Sequence, residues 1–233
     1  MGKATVGGAT TRRVRKEPDE RRDQILRVAQ RLFSRHPYQS VSSTQIADAA
    51  GVSRGLLNHY FGTKRELYLA AVRRMLEMPP MPVPAYVEGA GVRSRVTKAL
   101  DGWLELLERN RGTWITALDM VESGGDPELS RILDQARDRA VDRVCEVLGL
   151  APLAAEHDEV RAALRGFSGM AVAVTREWLK FGRMTRAQVH LLLEQTVLHL
   201  AEQVVPRLVG DAAGDPPGAP APDDGLEAPS PAV

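Results

Sequence analysis

The chain has 233 residues, with 31 basic and 30 acidic side chains, 43% hydrophobic residues and 26% charged residues. This is the make-up of a globular protein with room for one or two cores, and no apolar run approaches the ~18 residues of a membrane span. Cys145 is the only cysteine, which excludes an internal disulfide and any zinc site of the usual Cys/His spacing. The expectation is a soluble chain of the cytoplasm without leader, metal or cofactor.

The near-neutral total hides two opposed parts. Residues 1–78 hold 15 Lys and Arg against 7 Asp and Glu, a net +8, and the remaining 155 residues carry a net −7. Such asymmetry suggests that one part meets a polyanion and the other does not.

In chain order, residues 1–18 read as a flexible basic arm. Arg12, Arg13, Arg15 and Lys16 stand there with no apolar period to anchor them. Contact with a neighbouring DNA minor groove and a merely solvated tail are both open readings of the arm. Helical apolar periodicity then predicts helices over about 19–35, 43–50, 54–60 and 64–77. Pro79, Pro80, Pro82 and Pro84 cannot continue a helix, and they fall where the charge changes sign, so a domain boundary is predicted near residue 80. Further helices follow over about 93–109, 111–122, 127–148, 156–181 and 185–205. Residues 211–233, rich in Pro, Ala, Gly and Asp, read as a disordered tail. The fold class is all-α: an N-terminal three-helix domain over 19–78 and a larger helical domain over 85–210.

The informative segment is 43–62. Ser43 is placed to cap a short helix with Ile46, Ala47 and Ala50 on its apolar face. Gly51 supplies a tight turn and Ser53 caps a second short helix. Two short helices joined by a glycine turn form a helix-turn-helix, whose second helix enters the DNA major groove. Val52, Leu57 and Phe61 would dock that helix inward, leaving Arg54, Gly55, Leu56 and Asn58 facing out.

From about Arg22 to Leu76 the sequence resembles the TetR family of bacterial transcriptional regulators. The likeness rests on Ile25 to Phe33, on Thr44 to Val52 with Ala50-Gly51-Val52-Ser53, on His59-Tyr60-Phe61, and on Lys64 followed by Leu67. It implies that Arg54, Gly55, Leu56 and Asn58 face the bases, and that Ser43, Thr44, His59, Tyr60 and Lys64 grip phosphates. Read without the resemblance, Tyr60 and Phe61 are core residues and His59 is structural. At Asn58 the chain departs from the family, where an aromatic residue is common. Asn can instead pair with adenine, as Arg54 can with guanine.

The second domain is where such a regulator holds its dimer interface and ligand cavity. Val160, Leu164, Phe167, Ala171, Val174, Trp178 and Phe181 form an apolar seam along 156–181. Along 185–205, Val189, Leu193, Val197, Leu200 and Val204 form one apolar stripe, and Leu191, Leu198 and Val205 a second. A helix with two apolar faces must bury both, so these two helices predict a homodimer, as the resemblance also implies. Trp103, Leu107, Trp114, Leu118, Val121, Phe167, Met170 and Val174 are candidates for lining a cavity for a small, largely apolar effector, with Asn110 or Thr175 as hydrogen-bonding groups; ordinary core is the competing reading. A ligand there would tilt the fourth helix and move the paired recognition helices off their half-site spacing. A ligand-independent or protein-responsive DNA-binding regulator is the alternative. An enzyme is not expected, since the five histidines form no zinc helix motif, and neither a Ser elbow nor a phosphate loop is present.

Overall fold

The computed structural model describes residues 18–77, 91–124 and 126–211, and every regular element among them is helical. The basic arm up to residue 17, the proline cluster at 79–84 and the tail beyond residue 211 lie outside the described residues. The helices are α1 (Pro18–Arg35), α2 (Ser43–Ala50), α3 (Arg54–Phe61), α4 (Lys64–Leu76), α5 (Val92–Arg109), α6 (Arg111–Glu122), α7 (Pro127–Leu148), α8 (Ala151–Glu156), α9 (Asp158–Leu179), α10 (Arg186–His199) and α11 (Val205–Asp211). A 3-10 turn, Tyr38–Ser40, precedes α2, and a π-helical stretch, Leu200–Val204, joins α10 to α11.

The described chain divides into two compact units. The first takes the residues up to 77 together with Gly102–Ala136 and Leu179–Phe181; the second takes 91–101, Arg137–Trp178 and 182–211. The boundary therefore does not simply follow the prolines near residue 80. The end of α5, all of α6 and the start of α7 group with α1–α4, although the 85–210 reading assigns them to the second domain.

The first unit has a continuous apolar core. Ile25, Ala29 and Phe33 of α1 meet Ile46 and Ala47 of α2, Leu57 of α3, and Leu67, Tyr68 and Val72 of α4. Ala117 of α6 and Leu129 and Ile132 of α7 belong to the same core, which explains their grouping. Three aromatic rings pack edge-on at its centre, Tyr68 lying 5.2 Å from Phe33 and 4.9 Å from Tyr38 between centroids, within the favourable range for aromatic pairs. The Tyr68 hydroxyl, buried with its ring, donates to the carbonyl of Thr113 in α6 over 2.8 Å. Close approach of α6 to the end of α1 depends on Gly112: a Cβ there would lie 2.6 Å from the carbonyl oxygens of both Phe33 and Ser34.

In the second unit, α9 lies along α7 with paired charges: Arg161 meets Asp142 at 2.8 Å and Arg165 meets Asp138 at 2.7 Å. Between α5 and α10, Arg186 bonds both the carbonyl and the carboxylate of Asp101, and Thr97 donates to Glu194. Buried apolar residues include Val141, Val160, Leu164, Val189, Leu193 and Val197.

Three predicted details change. The helix expected over 156–181 begins at Asp158, because Ala151–Glu156 forms a separate helix with Pro152 in its first turn. The apolar seam of α9 keeps Val160, Leu164, Phe167 and Ala171 and then continues through Thr175 and Leu179. Val174 and Trp178 are only half-buried and Phe181 is exposed beyond the helix end, the drift of a 3.6-residue helix against a heptad pattern. Of the second stripe, Leu198 of α10 and Val205 at the start of α11 are buried within the chain, whereas Leu191 of α10 is 58% exposed.

Candidate nucleic-acid interface

The segment 42–66 carries three helix starts, each capped by a hydroxyl. Ser42, rather than Ser43, caps α2: its hydroxyl accepts from the Gln45 N–H (3.1 Å), and its own N–H donates to the Gln45 side chain (2.8 Å). This reciprocal capping box needs Gln or Glu three residues on, which Ser42 has and Ser43 lacks. Ser43 is therefore the first helical residue. Gly51 ends α2 in the left-handed conformation (φ 63°, ψ 38°), where a Cβ is disfavoured. Ser53 caps α3 by accepting from the Leu56 N–H (3.1 Å). Thr63 caps α4 with Glu66 closing a second box, and the N–H and hydroxyl of Thr63 hold the Glu66 carboxyl below its ordinary pKa.

Leu57 and Phe61 are buried and Val52 packs against the core, so the inward face of α3 is as the sequence predicts. The Arg22 guanidinium lies 4.9 Å over the Phe61 ring, and the Gln24 side chain donates to the Ala50 carbonyl at the end of α2 (2.8 Å). Thus α1 holds both short helices.

Arg54, Gly55, Asn58 and His59 are exposed, as is Thr44 on α2; Ser43, Leu56 and Tyr60 are half-buried. The Tyr60 ring packs on the core edge beside His59, its centroid 5.5 Å from the imidazole. Among the described residues, and apart from the local helix backbone, a Cβ at Gly55 would meet the Ser53 hydroxyl at 3.9 Å and nothing closer. Arg21, Asp48, Gly51, Val52, Ser53 and Leu56 line an open hollow of about 590 Å³ beside the start of α3. Arg21 escapes the sequence reading because the motif spacing marks α2–α3 and not the flank of α1, whereas Asp48 lies within α2 itself, on its exposed side.

Lys64 has a double position. Its ammonium donates to the carbonyls of Tyr38 (2.9 Å) and Val41 (3.0 Å) and sits 4.1 Å over the Tyr38 ring. Two of its three protons therefore tie α4 to the turn before α2, which leaves one donor for a further partner.

The effector candidates are split between the units. In the first, Leu107, Trp114 and Leu118 are buried, and Trp103 and Val121 half-buried; in the second, Phe167 is buried, and Met170 and Val174 half-buried. The Trp114 indole N–H is buried without a hydrogen-bond partner among the described residues. The side chains of Asn110 and Thr175 bond carbonyls of their own helices, Leu106 and Val172. Among the described residues no group of three or more His, Cys, Asp or Glu side chains is placed to hold a metal ion, and no helix is long and apolar enough to cross a membrane.

Two short capped helices at a glycine corner, with a docked inner face and polar outer side chains, define a helix-turn-helix DNA-binding protein. Residues 25–71 match the family described as bacterial regulatory proteins, tetR family. The HTH-type transcriptional regulator BetI of Stenotrophomonas maltophilia is 30% identical over 157 residues, 64% of this chain and 76% of its own length. The HTH-type transcriptional activator FasR of Mycolicibacterium smegmatis is 27% identical over 185 residues, 78% of this chain and 83% of its own. A tetR-family regulator from Streptomyces coelicolor has a similar structure, with TM-score 0.68 and 24% identity over 87% of this chain and 92% of that one. The chain belongs to the TetR family of bacterial transcriptional regulators; it is a DNA-binding regulator of transcription, not an enzyme.

Proposed function

We propose that the protein is a homodimeric repressor that leaves its operator when a small, largely apolar effector binds. The observation that carries operator reading is the outer face of α3. Arg54 and Asn58 are exposed one turn apart, with no side-chain partner among the described residues. Arg54 pairs with guanine and Asn58 with adenine, each well-formed bidentate contact contributing about 1–3 kcal/mol of discrimination. Thr44, His59 and Tyr60 flank them as phosphate ligands, with Ser43 and the remaining donor of Lys64 at the margin.

Two faces of the second unit support the dimer. On α9, Ala162, Gly166, Gly169 and Ala173 are exposed at helical spacing, and on α10 Leu191 and Leu192 are exposed. Small side chains let a second helix come close, and exposed leucines favour being covered. Two copies related by a two-fold axis place their recognition helices on half-sites about one DNA turn apart. For the effector, the apolar set Trp103, Leu107, Trp114, Leu118, Phe167, Met170 and Val174 supports a largely apolar ligand. Activation is the second reading of the sign, favoured by the relative that is named an activator.

The test is fluorescence anisotropy with a duplex from immediately upstream of the coding region against a scrambled duplex, at several salt concentrations. Specific affinity should exceed non-specific by about 10³-fold or more. Arg54→Ala and Asn58→Ala should each relax preference at one base position, whereas uniform weakening across operator variants would reduce those residues to phosphate contacts. Equal binding to every duplex would defeat the operator reading.

A further inference from the structure

The corner between α6 and α7 is joined to α4 by polar groups that the DNA-facing surface does not use. Asp126, only 4% exposed, stands immediately before Pro127, the first residue of α7. One of its oxygens, Oδ1, accepts from the Leu129 N–H at 3.1 Å and so caps α7. The same oxygen accepts from an Arg65 terminal nitrogen at 2.7 Å, and Oδ2 accepts from Arg65 Nε at 2.8 Å. A single carboxylate thus serves as helix cap for α7 and as two-pronged partner for the first turn of α4. Glu128, in the first turn of α7, meets Arg73 of α4 at 2.6 Å and Arg65 at 3.5 Å. Between these two arginines, Tyr68 reaches the first turn of α6 through Thr113.

These bonds join α4 to two helix starts at once, and the same end of α4 carries the Thr63 cap and the Lys64 contacts next to α3. Resting on the regulator reading above, we propose that Asp126 is a positioning residue for DNA binding: through Arg65 it makes the orientation of α4, and with it α3, follow the start of α7. A planar guanidinium held at two points transmits direction as well as distance. A displacement of the α6–α7 corner beyond what the Arg65 side chain can follow would either break the fork or turn α4 with it.

The test compares full-length wild type, Asp126→Asn, Arg65→Gln and the double variant. Asn is a good helix cap, so Asp126→Asn keeps the start of α7 while removing the charge and half of the fork. Amide hydrogen exchange without DNA should quicken about five-fold or more at residues 64–69. Operator affinity should fall by about the same factor, and the double variant should be no worse than the poorer single variant. A brace serving stability alone would lower the melting temperature and leave exchange at α4 in step with the rest of the chain. That result, an operator affinity within two-fold of wild type, or additive effects would overturn the proposal. If wild type shows no preference for its upstream duplex, the operator lies elsewhere and the affinity comparison moves to that site, and the exchange comparison still decides whether Asp126 orients α4.

Discussion

Gly112→Ala puts the close approach of α6 to α1 under direct test. The added Cβ would lie 2.6 Å from two carbonyl oxygens of α1 and 2.9 Å from the Ser34 carbonyl carbon. All three are backbone atoms and cannot swing aside as a side chain would. The oxygens fall about 0.8 Å short of ordinary contact, so α6 must retreat or α1 must bend. Overpacking of this kind costs about 1–3 kcal/mol. Alanine also favours a helix over glycine by up to about 1 kcal/mol, and near the N-terminus less of that gain is realised. The net expectation is destabilisation by about 1–2 kcal/mol, or a fall in Tm of about 2–8 °C for a chain of this size. Thermal unfolding followed by circular dichroism, at one protein concentration so that assembly does not shift the midpoint, measures it. An unchanged or higher Tm would mean that propensity outweighs the clash and that the α1–α6 contact is soft.

Leu57→Ala, at a fully buried site inside the recognition helix, should destabilise by about 2–5 kcal/mol and abolish specific binding; denaturant titration alongside anisotropy reads both. Tyr68→Phe removes the hydroxyl that donates to the Thr113 carbonyl and should lower stability by about 0.5–1.5 kcal/mol, visible in the denaturation midpoint. Arg65 holds the Asp126 carboxyl below the usual carboxylate range. The stability this contributes is present above the unfolded pKa of about 4 and is lost as pH falls through the depressed folded value. Asp126→Asn should therefore flatten the acid side of a Tm-against-pH curve below about pH 4. Gly166→Leu, on the exposed face of α9, should shift the protein from dimer towards monomer in sedimentation; an unchanged dimer would place the interface elsewhere.

The DNA-binding helices were legible because their signals are local. Gly51 has to be left-handed, Ser53 has its donor, the Leu56 N–H, three residues away, and Leu57 and Phe61 repeat at the helix period. Two adjacent serines blurred the start of α2, and Gln45 is what separates them: only Ser42 stands three residues before it. The short helix α8 carried a sign in Pro152 at its first turn, but the sequence reading began the next helix at 156, two residues before α9 starts. The grouping of α6 with α1–α4 left no local trace, because the contacts responsible join Phe33 to Gly112 and Tyr68 to Thr113 across long stretches of chain. Lys64 was similarly opaque: the family resemblance implies a phosphate ligand, and its bonds to the carbonyls of Tyr38 and Val41 exist only once the chain has folded.

The bareness of the outer surface of α3 has an evolutionary consequence. Stability in this module resides in the buried Leu57 and Phe61 and in the serine and threonine caps, whereas the Arg54 and Asn58 side chains are exposed and bond no side chain among the described residues. Exchanging an exposed helical side chain away from caps and core usually alters stability by no more than about 0.5 kcal/mol. As the proposed base-reading residues, Arg54 and Asn58 can therefore change by single substitutions without passing through unfolded intermediates. A duplicated copy of such a gene is free to acquire a new target sequence while its scaffold stays fixed, and a search for altered recognition can begin with Arg54 and Asn58.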